Sequence, residues 1–332
     1  MSSLASLNSY NKQAESIIEE IPHDTATHHP KVPVAGKTYH CDYSAGNEHY
    51  FQKWNEMIGF PISKPLDRSN PMAPFQLKYH DLIHEFFWVL FNKSRKIGAT
   101  DTKNRSTSLD VFGKFAGHDA ATIGGNKEST SLEVLTRIDE LFENGFTDLD
   151  GIKWRHDDLI VKFTRSSPSV IEFYNGTRLM GFSASKSGKT NPVRGADDLI
   201  EEFLTEAAHT GMEDDTPLHN ALVPNIGQYP NGHLVYESTP NGKRGIFYRF
   251  ATEAREGRGP FKYFEVDYHQ GLKYNILSED FIRKQKQDPN VDFAQEYECQ
   301  FTTSLKSAFE ELSEDNFLPS GQHAIDLSTL LS

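Results

Sequence analysis

Two stretches of this chain carry residue types and spacings that could hold phosphate. A phosphate loop has the pattern Gly-x-x-x-x-Gly-Lys-Ser/Thr between a strand and a helix, so that backbone N–H groups and the helix N-terminus face the anion. Residues 183–190, SASKSGKT, end in the right letters. Ser183 occupies the first glycine position, however, and Asn191-Pro192 follow Thr190 directly. Proline drives the residue before it out of the helical region, so no helix begins at Thr190. Gly188-Lys189-Thr190 therefore reads as a loop tip. The second stretch is 86–106, FFWVLFNKSRKIGATDTKNRS. Here an apolar strand precedes the loop and helix-compatible sequence follows. Gly98 falls at the second glycine, and Thr100 at the hydroxyl that binds magnesium. Ala99 takes the usual lysine position and Lys93 the first glycine position. Arg95 and Lys96 are the available cations, and Lys96, three residues before Ala99, can curl back over a phosphate. Spacing alone fits both this loop and an ordinary strand–turn–helix.

The elements that would position such a loop alternate along the chain. KYHDLIHEFF has a helical pattern and FFWVLFN reads as a buried strand. TKNRSTSLDVFGKFAG reads as a helix, DAATIGG as a strand, and STSLEVLTRIDELFENGF as an amphipathic helix ended by Gly145. SVIEFYNGTRLMGFSA is a hairpin turning at Asn175-Gly176. GHLVYESTPNG is a strand running into a turn, and FKYFEVDYH is another strand. SEDFIRKQKQDPNVDFAQEYECQF reads as two helices parted by Asp288-Pro289-Asn290. Strands alternating with helices predict an α/β fold with a mostly parallel central sheet flanked by helices. Residues 1–70 read as an irregular polar lead-in with one short helix around EHYFQKWNEMIGF.

Composition narrows the classes. The 332 residues carry a net charge of −13, which weighs against tight static binding of nucleic acid but not against a motor touching DNA transiently. No run of eighteen apolar residues suggests a membrane span, and the start lacks the pattern of a secretory signal. Cys41 and Cys299, the only two cysteines, lie too far apart in sequence to suggest a disulfide framework or a zinc site, which makes a reducing cytoplasmic setting the expectation. His28-His29 and His40-Cys41 lack a second ligand cluster at metal spacing and read as loop residues.

The order of several short motifs carries more than any one of them. KSRKIGATD resembles the deviant phosphate loop of viral terminase large subunits, the ATPases that pump DNA into capsids. Upstream, MAPFQLKYHDLI resembles their adenine-binding segment, which points to Phe75 and Gln76. ATIGGNKESTSLEVL sits where they have a strand and polar turn. NPVRG resembles their Arg-Gly element, FLTEAAH the ending of their Walker B strand, YESTPNG their coupling motif, and FAQEYECQF the segment closing the domain. The likeness spans roughly residues 72–311. It implies a P-loop, RecA-like nucleotide triphosphatase domain over 71–311, with ATP and Mg2+ as cofactors and ATP hydrolysis as the activity.

The resemblance also assigns roles. Ser94, Arg95, Lys96, Ile97, Gly98, Ala99, Thr100 and Asp101 form the phosphate and magnesium cradle. Glu206 orients or deprotonates the attacking water, and Arg194 is a finger reaching a neighbouring subunit's nucleotide. Ser238 and Thr239 sense the phosphate state. The Walker B aspartate of the family falls at Thr205, which has no charge to offer. Thr205 could instead hold a metal-bound water, with the carboxylate role moved to Glu201, Glu202 or Asp101. Lys243, Arg244, Arg249 and Arg255 form a basic group after the coupling motif, available to DNA phosphates or simply solvated. The implied partners are double-stranded DNA, a portal protein, a small terminase subunit and further copies of the chain in a ring, without membrane, in the host cytoplasm and outside the mature virion. Residues 312–332 stand where a nuclease domain would begin. Asp326 there is a single acid, so a two-metal nuclease site is not expected from this chain. Two other readings remain: a degenerate, non-catalytic nucleotide-binding or structural subunit, favoured by Ala99 and Thr205, or another P-loop nucleic-acid ATPase such as a helicase.

Overall fold

The computed structural model describes residues 31–34, 37–40, 48–59, 72–125, 128–148, 151–184, 199–212, 214–229 and 232–303. In chain order the elements begin with β1 (Lys31–Val34) and β2 (Lys37–His40), a small antiparallel pair, followed by α1 (Glu48–Ile58), α2 (Pro74–Glu85), β3 (Trp88–Lys93) and α3 (Ala99–Asp110). Next come β4 (Asp119–Gly124), α4 (Glu128–Phe142), the short pair β5 (Phe146–Thr147) and β6 (Lys153–Trp154), α5 (His156–Leu159), β7 (Ile160–Thr164), β8 (Ser169–Phe173) and β9 (Arg178–Ser183). The remainder is β10 (Leu199–Thr205), α6 (Thr216–Leu222), β11 (His233–Ser238), α7 (Gly245–Arg255), β12 (Lys262–Val266), α8 (Tyr268–Lys273), α9 (Glu279–Gln287) and α10 (Phe293–Glu298).

Eight strands form the central sheet in the order β12-β3-β11-β10-β4-β9-β8-β7. From β12 to β9 every pairing is parallel, and only β8 and β7 run antiparallel at the edge. Register then sorts side chains by face, because successive residues of a strand alternate. Phe91 pairs with Glu237, and Glu237 with Thr205, so Phe91, Lys93, Val235, Glu237, Glu201, Phe203 and Thr205 share one face. That face packs beneath α2 and α8–α10, with Tyr79, Phe91, Phe203, Val235 and Tyr297 in one cluster. The other face, with Leu90, Leu204, Leu234 and Tyr236, is covered by α6 and α7 through Leu218, Leu222, Phe247 and Phe250.

The helix expected over 102–117 ends at Asp110 and gives way to turns, Gly113 and Gly117 being unfavourable inside a helix. The lead-in holds the β1–β2 pair, which the sequence reading did not expect, as well as the expected short helix, α1. Phe51 and Trp54 of α1 are fully buried in a cluster with Phe112, Phe142 and Phe146. The indole Nε1 of Trp54 donates to Ser108 Oγ at 2.9 Å. The hairpin at Asn175-Gly176 and the break between α9 and α10 are as expected, Gly176 having the positive φ of 87° that such a turn requires.

The helix after the loop is unusual for being buried and polar, from Thr102 to Ser108 and again at Asp110. Buried polar groups demand partners, and α3 supplies them. Lys103 Nζ donates to Glu201 Oε1 at 2.5 Å and to Thr107 Oγ1 at 2.7 Å. Arg105 donates to Asp101, to Asn55 Oδ1 and to the Gly59 carbonyl. His84 Nε2 meets Asp110 Oδ1 at 2.9 Å, and Ser106 Oγ lies 2.9 Å from His80 Nδ1.

Glu202 lies on the opposite face of β10 from Glu201. One carboxylate oxygen accepts from Asn225 Nδ2 at 2.9 Å, and the other has no partner among the described residues. Burial pushes its carboxyl up to about 8, against the smaller opposing effect of the Asn225 bond. A carboxyl raised in the folded state binds its proton more tightly folded than unfolded, so stability falls as pH rises from the ordinary value of 4.5 to about 8. Glu202→Gln removes that dependence. Over this window the wild-type protein should lose up to about 1.4 kcal/mol per pH unit relative to the variant. Chemical denaturation of both proteins across the pH range measures it, and parallel curves would contradict the assignment.

Candidate phosphate site at the strand tips

The loop after β3 forms as the sequence predicts. β3 ends at Lys93, α3 starts at Ala99, and the turn between them uses left-handed conformations at Lys96 (φ 61°) and Gly98 (φ 77°). Ser94 N–H donates to the Val266 carbonyl and Arg95 N–H to the Glu296 carbonyl, anchoring the loop to β12 and α10. Gln76 Nε2 donates to the Ile97 carbonyl at 3.2 Å, while its Oε1 accepts from Ala73 N–H. The first N–H groups of α3 have no acceptor within the helix and carry the positive end of its dipole. They are what a phosphate would meet.

The cations and acids around the loop sort themselves by burial. Arg95 is largely exposed and pairs with Glu296 at 2.6 Å. Lys96 is exposed. Lys93 is buried, with Nζ 3.5 Å from Glu206 Oε1. Burial alone would lower its ammonium, yet Glu206 and Glu237 outweigh that and hold it above the ordinary lysine value. The same field acts on Glu206: burial pushes its carboxyl up, but Lys93 and His209 more than offset this and keep it low, hence ionised. Lys93 is thus the cation set between two carboxylates at the tips of β3, β11 and β10. Counting it as a displaced glycine hides this role; the sequence signal is a lysine closing an otherwise apolar strand.

Thr100 Oγ1 donates to Glu237 Oε1 at 2.5 Å, and Tyr79 OH donates to Glu237 Oε2 at 3.1 Å. Glu237 is fully buried on β11, between the strand of Lys93 and the strand of Thr205. Motif reading passes over it, since its place beside Thr100 depends on strand order. Thr205 is buried at the end of β10 on the same sheet face.

Glu206 itself leaves β10 in the left-handed region, φ 54°. Ser238 Oγ accepts from Ala208 N–H at 3.1 Å, Thr239 Oγ1 lies 3.0 Å from His209 Nε2, and Asn241 Nδ2 donates to the Ala208 carbonyl at 2.9 Å. The end of β11 is therefore tied to the turn that carries Glu206. On its other side β4 closes in. Gly125 N–H donates to the Thr205 carbonyl at 2.9 Å, and a Cβ on Gly125 would lie 2.2 Å from the Glu206 carbonyl oxygen.

Other expected residues are placed elsewhere. Phe75 is buried against Tyr274, and Gln76 is buried with its amide bonded to the Ile97 carbonyl and the Ala73 N–H. Asp101 pairs with Arg105 along α3. Ile97 and Ala99 pack in the core beneath the loop. Glu201 is held by Lys103 inside the sheet and Glu202 faces the other side, so neither reaches Thr100. Arg255 is engaged by Glu265 and Tyr263, whereas Lys243, Arg244 and Arg249 are not buried. Arg194 and the 185–190 loop lie outside the described residues.

A mostly parallel sheet with a glycine turn after one strand and an acid after the next strand but one is the arrangement of a P-loop, RecA-like fold. Among solved structures the chain is similar to the large terminase of bacteriophage HK97, with a TM-score of 0.59 at 12% identity over 76% of this chain and 55% of that one. It is similar also to the large terminase of a thermophilic bacteriophage in complex with ADP, with a TM-score of 0.52 at 14% identity over 70% and 54% of the two chains. The same thermophilic phage enzyme in complex with ATP-gamma-S gives 0.51 at 12% identity over 70% and 53%. The chain thus has the fold of the phage large terminases and spans about half of their length. No protein-family model and no curated protein matches it by sequence.

Gly125 positions Glu206 without any side chain of its own, which makes it a clean probe. Gly125→Ala should push the Thr205–Glu206 peptide away and destabilise the fold by about 1–3 kcal/mol, the scale of overpacking. Chemical denaturation of both proteins measures this; an unchanged stability would show that the turn yields at no cost.

Proposed function

We propose that this chain hydrolyses ATP as the motor domain of a viral DNA-packaging terminase. The observation that carries the reading is Lys93 facing Glu206 across the tips of the central strands, beside the N-terminus of α3. ATP phosphates are received by the N–H groups at the start of α3 and by Lys93, whose charge is retained despite burial. Glu206 is ionised and partly open to solvent, and it orients the attacking water and accepts its proton. The Thr100 hydroxyl at the start of α3 suits Mg2+, which takes few protein ligands and several from phosphate and water. When bound, that ion neutralises charge developing on the phosphates.

The fold likeness supports the reading, and so does the complex of the thermophilic phage enzyme with ADP. Lys93 answers the loss of lysine at position 99, which removes the main ground for a degenerate subunit. Ser238, Thr239 and Asn241 couple the site to β11, whose end leads into Lys243, Arg244 and Arg249, none of them buried. Double-stranded DNA is the partner proposed for that face. A ring of like subunits, a portal and a small terminase subunit in the host cytoplasm complete the proposal, with Arg194 as the residue offered to a neighbour.

Glu206→Gln should abolish DNA-stimulated ATPase activity, a loss on the order of 10³-fold or more, with nucleotide binding intact. Turnover unaffected by the change would remove Glu206 from its role. Lys93→Met should weaken ATP binding at least tenfold, as titration calorimetry would read; an unchanged dissociation constant would return the phosphate role to Lys96 or Arg95.

A further inference from the structure

We propose that Glu237 holds the nucleotide-bound Mg2+ together with Thr100, in place of the aspartate that Thr205 has replaced. The inference rests on the phosphate-site reading above and assigns one ligand within it.

Three observations converge on this residue. First, the Thr100 hydroxyl, the oxygen that a P-loop offers to the metal, already donates to Glu237 Oε1 at 2.5 Å. Second, Thr205 and Glu237 are direct partners in the parallel β10–β11 ladder, so their side chains leave the sheet on the same face. A carboxylate at 237 is one strand spacing, about 4.8 Å, from one at 205. It lies on the strand next to β3, from which the phosphate loop springs. Third, the other acids are committed. Glu201 is paired with Lys103, Glu202 faces away from the loop and accepts from Asn225, and Asp101 is paired with Arg105. Glu206 faces Lys93 and is needed at the water. Among the described residues Glu237 is the carboxylate that reaches Thr100.

A buried acid inside a strand otherwise made of His233, Leu234, Val235, Tyr236 and Ser238 demands a reason. Its second oxygen is held by the Tyr79 hydroxyl from α2, which fixes the carboxylate plane and leaves Oε1 toward the loop. Tyr79 acts here as a positioning residue. The carboxylate oxygen and the hydroxyl are hard donors that suit magnesium. Burial pushes the Glu237 carboxyl up, and Lys93 and the Thr100 hydroxyl oppose this only in part, so a cation beside it would meet an acid short of positive charge.

The test compares the dissociation constant of ATP-gamma-S with Mg2+ and with chelator, for the full chain and its variants. Magnesium should tighten binding to the wild-type protein, and Glu237→Gln should lose about 10–100-fold of that tightening while keeping the metal-free affinity. Tyr79→Phe keeps the carboxylate but frees its second oxygen, and should lose a smaller part of the metal effect than Glu237→Gln. Returning the acid to the neighbouring strand in the double variant Thr205→Asp/Glu237→Gln should restore metal dependence, and it decides the matter should Glu237→Gln alone not fold. Mn2+ in the presence of ADP, read by electron paramagnetic resonance, should be bound by the wild-type and double-variant proteins and released by Glu237→Gln. A Glu237→Gln protein that retains the full magnesium effect overturns the assignment and leaves the phosphate site standing. So does a folded double variant without metal dependence. A wild-type protein that binds no nucleotide overturns both.

Discussion

The structure turns on one buried ammonium. Lys93 ends a strand whose earlier residues are packed in the core, and burial of an unpaired charge there would cost several kcal/mol. It persists because Glu206 and Glu237 approach it from two other strands. That demand for charge balance brings the tips of β3, β11 and β10 into a single site and accounts for the acids left at the ends of otherwise apolar strands. Without Lys93 the two carboxylates would face each other in a poorly solvated space. Without them the lysine could not stay charged.

Much of the outline was legible in the sequence. The turn between β3 and α3, with its strand and its helix, follows from an apolar run, a Gly98 able to adopt positive φ, and the sequence after it. The rejection of the SGKT stretch rested on Pro192 and concerns residues outside those described. The choice of Thr205-Glu206 over Glu201-Glu202 as the strand ending agrees with the placement of both pairs, because Glu201 and Glu202 lie within β10 and are held by Lys103 and Asn225. What spacing along the chain could not give was the order of strands across the sheet. Glu237 meets Thr100 only because β11 lies beside β3, and nothing local to YESTPNG says so. Lys93 escaped for the opposite reason: a template that expects lysine after glycine draws attention away from one placed before it. Gly125 was likewise invisible, since its constraint comes from the Glu206 backbone far along the chain.

α3 shows a second kind of illegibility. Its polar residues would suit a solvated helix, and instead almost all are buried. The helix is specified by pairing rather than by an apolar stripe: Lys103 to Glu201, Arg105 to Asp101, His84 to Asp110, Trp54 to Ser108. Such pairs stabilise little in net terms but are costly to break singly, because each leaves a charge or dipole unpartnered. The helix whose N-terminus follows the Lys96–Gly98 turn is in this way fixed in rotation and register. α1, contributing Phe51 and Trp54, closes the far side of the same assembly.

The strand between the loop and Glu206 has a mechanical consequence. β11 is hydrogen-bonded along its length to both β3 and β10, and beyond its end Asn241 grips the Ala208 carbonyl while Gly242 N–H donates to Gln295 of α10. α10 in turn accepts the Arg95 N–H of the loop through Glu296. These contacts close a ring: loop, α10, Gly242, the Glu206 turn, β11 and back to the loop. In a closed linkage of stiff members no single member is displaced alone. A change in spacing between the loop and Glu206 is therefore shared with the 239–245 segment, which ties the exposed basic residues there to the strand tips.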